Sequence, residues 1–296
     1  MTHSPPHAAH GGAHHPAARH TPGSDDQAEI LDLDADVLAG HTASLTAWLP
    51  VAAGGPRHIV DLGCGTGAGT FALLARFPEA QVTAVDASAV HLRRLRERAL
   101  ELGLADRVRT VEADLDADWP GLGRPELVWA SASLHHMADP GRTLRMVREL
   151  LAPGGLFAVV ELAGFPRFLP GDAPEDRPGL EERCHAALAG RHAEHVPHRG
   201  ADWGPALVAA GFSVEGRRTI TVNVDGSRVE AVGRYALSGL RRLRDTAAPV
   251  LAAEDLASLD RLLDTGGPGS LLRREDLAVR TERTAWTARR RPIPHP

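Results

Sequence analysis

A glycine-rich segment that follows a short apolar run carries the clearest chemical signal in this chain. Residues 58–70 read HIVDLGCGTGAGT, so that Asp61 precedes Gly63, Gly65 and Gly67. Glycines at this spacing let a backbone turn tightly and approach a ligand closely. A helix that begins just after them points its first N–H groups at the same place. The segment therefore predicts a nucleotide-like cofactor over residues 63–67.

Two classes of cofactor fit these glycines. Gly63, Gly65 and Ala68 also match the spacing of the dinucleotide fingerprint. Asp61 favours a different ligand, because a carboxylate repels a pyrophosphate but attracts the ammonium group of an amino-acid-bearing cofactor. We interpret the segment as an S-adenosylmethionine site. The alternative without any ligand is a tight strand-to-helix turn.

Acidic side chains follow the next two apolar runs. Asp86 comes about 20 residues after the first glycine, where an acid accepts hydrogen bonds from ribose hydroxyls, and Ala87 follows it. Asp114 is placed to accept a hydrogen bond from an adenine amino group, with Leu115 against the ring, and Glu112 is the weaker candidate for that role. The alternatives are a helix N-terminal acid for Asp86 and a solvated loop acid for Asp114.

A polar loop, residues 131–136 (SASLHH), follows the fourth apolar run. Because the C-terminal ends of strands line the ligand crevice of a doubly wound sheet, Ser131 is predicted to contact the cofactor. His135 and His136 are the candidate general bases, since histidine titrates near neutral pH. The alternative for both histidines is packing against the cofactor or against a strand end.

These residues require a sheet whose strand ends meet at one edge. Apolar runs alternate with segments of helical periodicity, which predicts a Rossmann-like α/β fold with a mostly parallel, doubly wound sheet and helices on both faces. The predicted strands are residues 58–62, 81–85, 108–111, 126–130, 156–162, 212–224 and 277–288, the last one antiparallel. The predicted helices are residues 30–49, 68–77, 88–103, 141–151, 180–198 and 203–210, with two more between 228 and 263.

The two ends of this alternation differ in composition. Residues 1–27 are rich in His, Pro, Ala and Gly and are predicted to be disordered, which leaves residues 28–296 as a single domain. The alternation breaks after residue 162. Because a strand end at the ligand edge precedes it, the segment at about 163–200 is predicted to be an insertion that caps an acceptor site. Phe165, Phe168 and His185 are its expected pocket residues.

Composition excludes several classes of function. The 296 residues carry a net charge of −5, which does not favour nucleic-acid binding, and they include no lysine. No run approaches the roughly 18 apolar residues of a membrane span, and no signal peptide is recognisable, so a cytoplasmic location is expected. No Cys, His or Asp cluster has the spacing of a metal site. The oligomeric state is not predicted.

The motifs stand in the order found in a known enzyme family. They are residues 61–67 (DLGCGTG), 85–86 (VD), 113–114 (AD), 134–136 (LHH) and 151–155 (LAPGG). In this respect the chain resembles the class I S-adenosylmethionine-dependent methyltransferases, most of all the trans-aconitate and ubiquinone/menaquinone methyltransferase groups. The resemblance is strong over about residues 34–162, whereas residues 163–199 depart from the pattern.

The resemblance implies a seven-stranded sheet and in-line methyl transfer to a small-molecule acceptor. It also implies cofactor contacts by Asp61, the three glycines, Asp86, Asp114 and the Ser131 region, but it carries over neither an acceptor nor a base. One alternative is a protein that binds S-adenosylmethionine without methylating. The other is an NAD-dependent oxidoreductase, which Asp61 and Asp114 argue against and which would lack a Tyr-x-x-x-Lys pair in a chain without lysine.

Overall fold

A seven-stranded sheet with eight α-helices forms the framework of the part of the chain that the computed structural model describes, residues 24–227 and 229–290. Its strands are β1 His58–Leu62, β2 Gln81–Asp86, β3 Val108–Glu112, β4 Leu127–Ser131, β5 Leu156–Leu162, β6 Phe212–Asp225 and β7 Ala278–Arg290. Its helices are α1 Ser24–Trp48, α2 Ala68–Arg76, α3 Ala89–Glu101, α4 Pro140–Leu150, α5 Leu180–His195, α6 Trp203–Ala209, α7 Ala231–Ala247 and α8 Ala253–Leu263. None of the helices in these ranges has the length and apolarity needed to cross a bilayer.

The order of the strands is β3-β2-β1-β4-β5-β7-β6. Neighbouring strands from β3 to β5 pair in parallel, whereas β7 pairs antiparallel with both β5 and β6. The C-terminal ends of β1 to β5 therefore meet at one edge of the sheet. This topology confirms the predicted fold class, including the antiparallel final strand.

Alternate residues of the inner strands face opposite sides of the sheet. In β4, Val128 and Ala130 lie in one apolar cluster with side chains of α4 and α6. Leu127 and Trp129 lie in another cluster, together with side chains of α1 and α2. This alternation follows from the period of two in a strand, and it places helices on both faces.

A third apolar cluster, which we call the cap layer, lies outside these two. It joins α1, the insertion with α5, α7, α8 and β7 through a set of buried side chains: Leu33, Val37, Phe168, Leu180, Leu188, Tyr235, Leu240, Leu259 and Val279. The sequence predicted the insertion but not that α7 and α8 share its core. The helix predicted at 180–198 ends at His195.

The first helix begins earlier than its apolar periodicity predicted. It starts at Ser24 rather than at residue 30, and Ala28 is fully buried. The last four residues of the segment predicted to be disordered, 24–27, therefore lie in α1. The periodicity missed them because the first turn of α1 is polar. Residues 1–23 lie outside the described part of the chain.

Candidate active site

The turn between β1 and α2 depends on two of its glycines in different ways. Gly63 has a φ of 65°, and a Cβ atom there would collide with the side chain of Ser133. Gly67 has a φ of 103° and immediately precedes α2, where a Cβ atom would lie 2.7 Å from the Phe71 ring. Gly63 thus allows close approach of the loop after β4, and Gly67 allows the helix to begin.

A cleft of about 360 Å³ opens at the C-terminal edge of the sheet. The structure brings together there every cofactor residue predicted from the sequence except Gly67: Asp61, Gly63, Gly65, Asp86, Ala87, Asp114, Leu115 and Ser131. Gly67 does not line the cleft, because its backbone serves the start of α2. Glu112, the weaker candidate beside Asp114, does not line it either.

Asp86 links the glycine turn to the start of α3 beneath the cleft. Its carboxylate accepts hydrogen bonds from the backbone N–H of Gly65 at 2.9 Å and of Ser88 at 2.8 Å, and its Oδ1 lies 3.2 Å from Nδ1 of His91. Burial alone would raise the pKa of Asp86, but these partners lower it below its ordinary value. An ionised carboxylate therefore lies at the end of β2, where it can accept from hydroxyl groups.

Asp61 lies in a very different environment. Its side chain is buried, and the hydroxyl of Thr70 donates to it at 2.7 Å. Burial raises the pKa of Asp61 to about 7. Trp129, its register partner on β4, has a buried Nε1 without a hydrogen-bond partner among the described residues. A cationic group placed beside Asp61 would stabilise its carboxylate, so this end of the cleft fits a ligand ammonium.

Asp114 and Leu115 border the far side of the cleft, after β3. Asp114 is exposed, and its Oδ1 accepts from the backbone N–H of Asp116 at 2.9 Å, which fixes the loop. Leu115 is buried and offers an apolar surface. This pairing of an acceptor with an apolar side chain suits the edge and the face of a heteroaromatic ring.

The structure separates the two histidines that follow β4. His135 is buried, with its Nδ1 2.5 Å from Oε2 of Glu161 and its Nε2 3.1 Å from Nη2 of Arg199. Both ring nitrogens are engaged, so His135 is not placed to remove a proton from an acceptor. His135 does not line the cleft, where a base was expected. The reason is its contact with the buried carboxylate of Glu161, near the end of β5.

His136 lines the cleft and remains the candidate base. Its ring lies 4.1 Å from that of His135, measured between centroids. Although the residue reaches the surface, desolvation within the cleft lowers its pKa to about 4, and the positive charge of Arg199 acts in the same direction. His136 is therefore neutral at physiological pH but is a weak base.

A cluster of rings on the insertion lies beside Arg199, which contacts it through Phe165. The guanidinium carbon of Arg199 lies 4.1 Å from the centroid of Phe165, whose ring is 4.3 Å from His192 and 5.9 Å from His185. Nε of Arg199 and Nδ1 of His185 are buried without partners among the described residues. Phe168, predicted to face the acceptor, instead lies in the cap layer, because its ring packs edge-on against Tyr235.

Sequence reasoning missed several residues of this region. Glu161 lies at the C-terminal end of a buried strand, as Asp61, Asp86 and Ser131 do, and that position was the available signal. Others carried no local signal, because they reach the cleft from distant segments: Gln27, Leu31, Asp34 and Thr42 of α1, and Arg283 of β7.

Comparison with known proteins identifies the family. A family model described as a methyltransferase domain matches residues 60–157. The trans-aconitate 2-methyltransferase of Methylobacterium nodulans is 31% identical over 250 residues, which are 82% of this chain and 90% of that protein. The chain belongs to the class I S-adenosylmethionine-dependent methyltransferases.

Other class I methyltransferase relatives match a shorter stretch. The trans-aconitate 2-methyltransferase of an Acidovorax species is 42% identical over 104 residues, 35% of this chain and 38% of that protein. The chain spans only about two fifths of the length of the first curated relatives that it matches, between 38% and 42%. The crystal structure of BH2331 from Bacillus halodurans, 18% identical with a TM-score of 0.53, covers 86% of this chain and 100% of its own, and it supports the fold.

Membership in the class I methyltransferases decides between the two cofactor classes that the glycines allowed. The cofactor is S-adenosylmethionine, which supplies an electrophilic methyl group when it is bound. The residues present fit it, since the buried carboxylate of Asp61 has no compensating cation among the described residues and the ionised carboxylate of Asp86 lies one strand away.

Proposed function

We propose that this protein transfers the methyl group of S-adenosylmethionine to a small-molecule acceptor. The observation that carries the proposal is the row of carboxylates at the C-terminal ends of β1 and β2 and just after β3, which line one cleft with the glycine turn. In this assignment Asp61 faces the ammonium of the cofactor, Asp86 accepts from its ribose hydroxyls, and Asp114 accepts from its adenine. The backbone at Gly63 and Gly65 lets the cofactor approach closely.

We propose further that the acceptor is a carboxylic acid. The named relatives are trans-aconitate 2-methyltransferases, and Arg199 with its aromatic surroundings supports an anionic acceptor in this chain. Burial lowers the pKa of Arg199 but leaves it charged, and an arginine with an unpaired buried N–H suits a carboxylate. An ionised carboxylate needs no general base, which agrees with the engaged nitrogens of His135 and the low pKa of His136.

The cofactor assignment is tested by calorimetry with S-adenosylhomocysteine, for which micromolar affinity is expected, about −8 kcal/mol. Asp114→Asn should weaken this affinity by about 1 kcal/mol, because the hydrogen bond from the adenine amino group then goes to a neutral amide oxygen instead of a carboxylate. Glu112→Gln, two residues away and outside the cleft, is the matched control and should leave the affinity unchanged. Binding of NADH without binding of S-adenosylhomocysteine would contradict the proposal.

The acceptor class is tested by turnover with methyl-labelled cofactor. Trans-aconitate and other di- and tricarboxylic acids should be methylated, whereas amines and alcohols of similar size should not. Arg199→Met should raise the acceptor KM about tenfold or more without changing cofactor affinity. Arg191→Met, on the same insertion but exposed, is the control. Cofactor binding without methylation of any acceptor would instead indicate a non-methylating binder.

A further inference from the structure

The cleft contains a permanent positive charge, the guanidinium of Arg283, in addition to the residues proposed above to bind the cofactor. Among the described residues that line the cleft, Arg283 is the only arginine, and the chain has no lysine. Asp61, Asp86 and Asp114 face it across the same cleft. The methionyl group of S-adenosylmethionine carries both an ammonium and a carboxylate, and of these two charges the acidic side chains of the cleft attract the ammonium and repel the carboxylate.

Arg283 is held at the cleft by two other parts of the chain. Its Nη2 lies 2.7 Å from each carboxylate oxygen of Asp34, and the hydroxyl of Tyr235 donates to Asp34 at 2.8 Å. These contacts join β7 to α1 and α7. The contacts of Arg283 with Asp34 use one guanidinium nitrogen, Nη2.

Apart from Nη2, the nitrogens of the Arg283 guanidinium have no hydrogen-bond partner in the part of the chain that the structure describes. Its Nε is buried without a partner among the described residues, and the side chain as a whole is 12% exposed. Burial disfavours its charge, but Asp34 more than offsets this effect and raises the pKa of Arg283. A guanidinium has five donors in a planar fork, so it can serve Asp34 and a second carboxylate together.

The position of Arg283 along the sheet edge agrees with this role. Asp114, Asp86 and Asp61 lie at or just after the C-terminal ends of β3, β2 and β1, which are neighbours in that order, and the sheet continues through β4 and β5 to β7. Arg283 lies opposite Leu162, the last residue of β5. With the adenine end of the cofactor over β3, the amino-acid end points toward β7, and α1 covers it from above with Leu31 next to Gly65.

We propose that Arg283 binds the carboxylate of the methionyl group of S-adenosylmethionine, with Asp34 and Tyr235 as its positioning residues. The proposal rests on the proposed function, because it requires the cofactor in this cleft. It makes Arg283 a determinant of cofactor recognition that lies more than two hundred residues from the glycine turn.

The test pairs two ligands with two forms of the protein. S-adenosylhomocysteine is compared by calorimetry with its decarboxylated analogue, which keeps the amine and loses only the carboxylate. In the wild type the analogue should bind about tenfold or more weakly. In Arg283→Gln, the affinity for S-adenosylhomocysteine should fall to that for the analogue. The affinity for the analogue should stay within about twofold of its wild-type value.

Two further variants keep the proposal falsifiable. Arg289→Gln, near the C-terminal end of β7 and opposite the first residue of β5, is the matched control and should preserve the full discrimination between the ligands. Asp34→Asn keeps Arg283 but removes the carboxylate that positions it, so it should reduce the preference for S-adenosylhomocysteine over the analogue. It serves as the test if circular dichroism shows that Arg283→Gln is unfolded.

Several outcomes would overturn the proposal. Equal losses for both ligands in Arg283→Gln would show that the residue supports only the shape of the cleft. An unchanged affinity with a raised acceptor KM would assign Arg283 to the acceptor instead. Failure of the wild type to bind either ligand would overturn the proposed function as well, so the two failures are distinguishable.

Discussion

Glu161 and His135 form a buried pair, with Oε2 of Glu161 2.5 Å from Nδ1 of His135 and both side chains almost wholly shielded from solvent. The other oxygen of Glu161 accepts from the backbone N–H of Leu134 at 2.8 Å. Because Arg199 can only donate, it meets the Nε2 lone pair of His135, which requires the proton on Nδ1. One carboxylate therefore fixes the loop after β4, the tautomer of His135 and the position of Arg199.

Glu161→Gln is expected to reverse that tautomer. The new amide can donate to Nδ1 of His135, which moves the ring proton to Nε2, where it opposes the N–H of Arg199. We expect the acceptor KM to rise about tenfold and the free energy of unfolding to fall by about 1–3 kcal/mol, with cofactor affinity within about twofold. Steady-state kinetics and urea unfolding measure these changes. Glu182→Gln, which is exposed on α5, is the control. If Glu161→Gln instead lost cofactor affinity, the role given to the contacts among Glu161, His135 and Arg199 would be wrong.

Cofactor affinity is expected to depend on pH through Asp61. Its pKa of about 7 in the free protein must fall when an ammonium binds beside it, so binding releases a proton. The affinity for S-adenosylhomocysteine should therefore be constant above pH 7 and fall below it, by up to about tenfold per pH unit. Calorimetry in buffers from pH 5 to pH 8 measures this slope. Asp61→Asn should abolish it and His136→Asn should retain it, and the opposite result would assign the slope to His136.

The same group has the opposite effect on the stability of the unliganded protein. The pKa of Asp61 is raised in the folded state above the value of 3.8 in the unfolded chain. Between about pH 4 and pH 7 the folded state therefore binds the extra proton, and the contribution of Asp61 to stability declines as the pH rises. Thermal melts without ligand should show this decline in the wild type but not in Asp61→Asn. An identical pH profile for the two proteins would show that Asp61 ionises normally.

Phe165 and Phe168 make a matched pair for testing the insertion. Phe168 is 3% exposed in the cap layer, so Phe168→Ala should destabilise the fold by about 3–5 kcal/mol. Phe165 is only partly buried and packs against Arg199, so Phe165→Ala should raise the acceptor KM at little cost in stability. Chemical unfolding and acceptor kinetics separate the two effects. Similar behaviour of both variants would place the acceptor elsewhere.

Truncation should locate the functional start of the chain. Removing residues 1–23 is expected to preserve cofactor affinity, because the segment has too few apolar residues to join a core. Removing residues 1–34 should abolish binding, since it deletes Leu31 and Asp34 from the cleft and the Asp32–Arg94 ion pair from α1. Calorimetry on the two truncated proteins measures both effects. Loss of affinity in the shorter deletion would give the His-rich segment a role.

The sequence predicted best what local chemistry determines. The positions of Asp61, Asp86 and Asp114 after apolar runs were enough to place them at one edge, because parallel strands bring their C-terminal ends together. The boundaries of β1 and β5 agreed for the same reason, since buried runs bounded by turns leave little choice.

The features that the sequence did not predict are tertiary contacts between residues that lie far apart in the chain. Arg283 looked like a charge on an alternating strand, and its neighbour Asp34 lies 249 residues away, so no local pattern could pair them. His135 and His136 are adjacent and alike in the sequence. Glu161 distinguishes them, because it binds the imidazole of His135 in the interior, whereas the imidazole of His136 lines the cleft.

The cap layer joins α1 and the insertion in one apolar core, although α1 lines the cleft and the insertion carries Arg199. A close-packed core transmits a displacement rather than absorbing it, so we expect α1 and the insertion to move together relative to the sheet. We therefore expect both ligands of the proposed reaction to enter and leave through a single motion of this layer. The rate of product release is then a property of the whole layer, and a substitution deep in that layer can change turnover without touching either ligand.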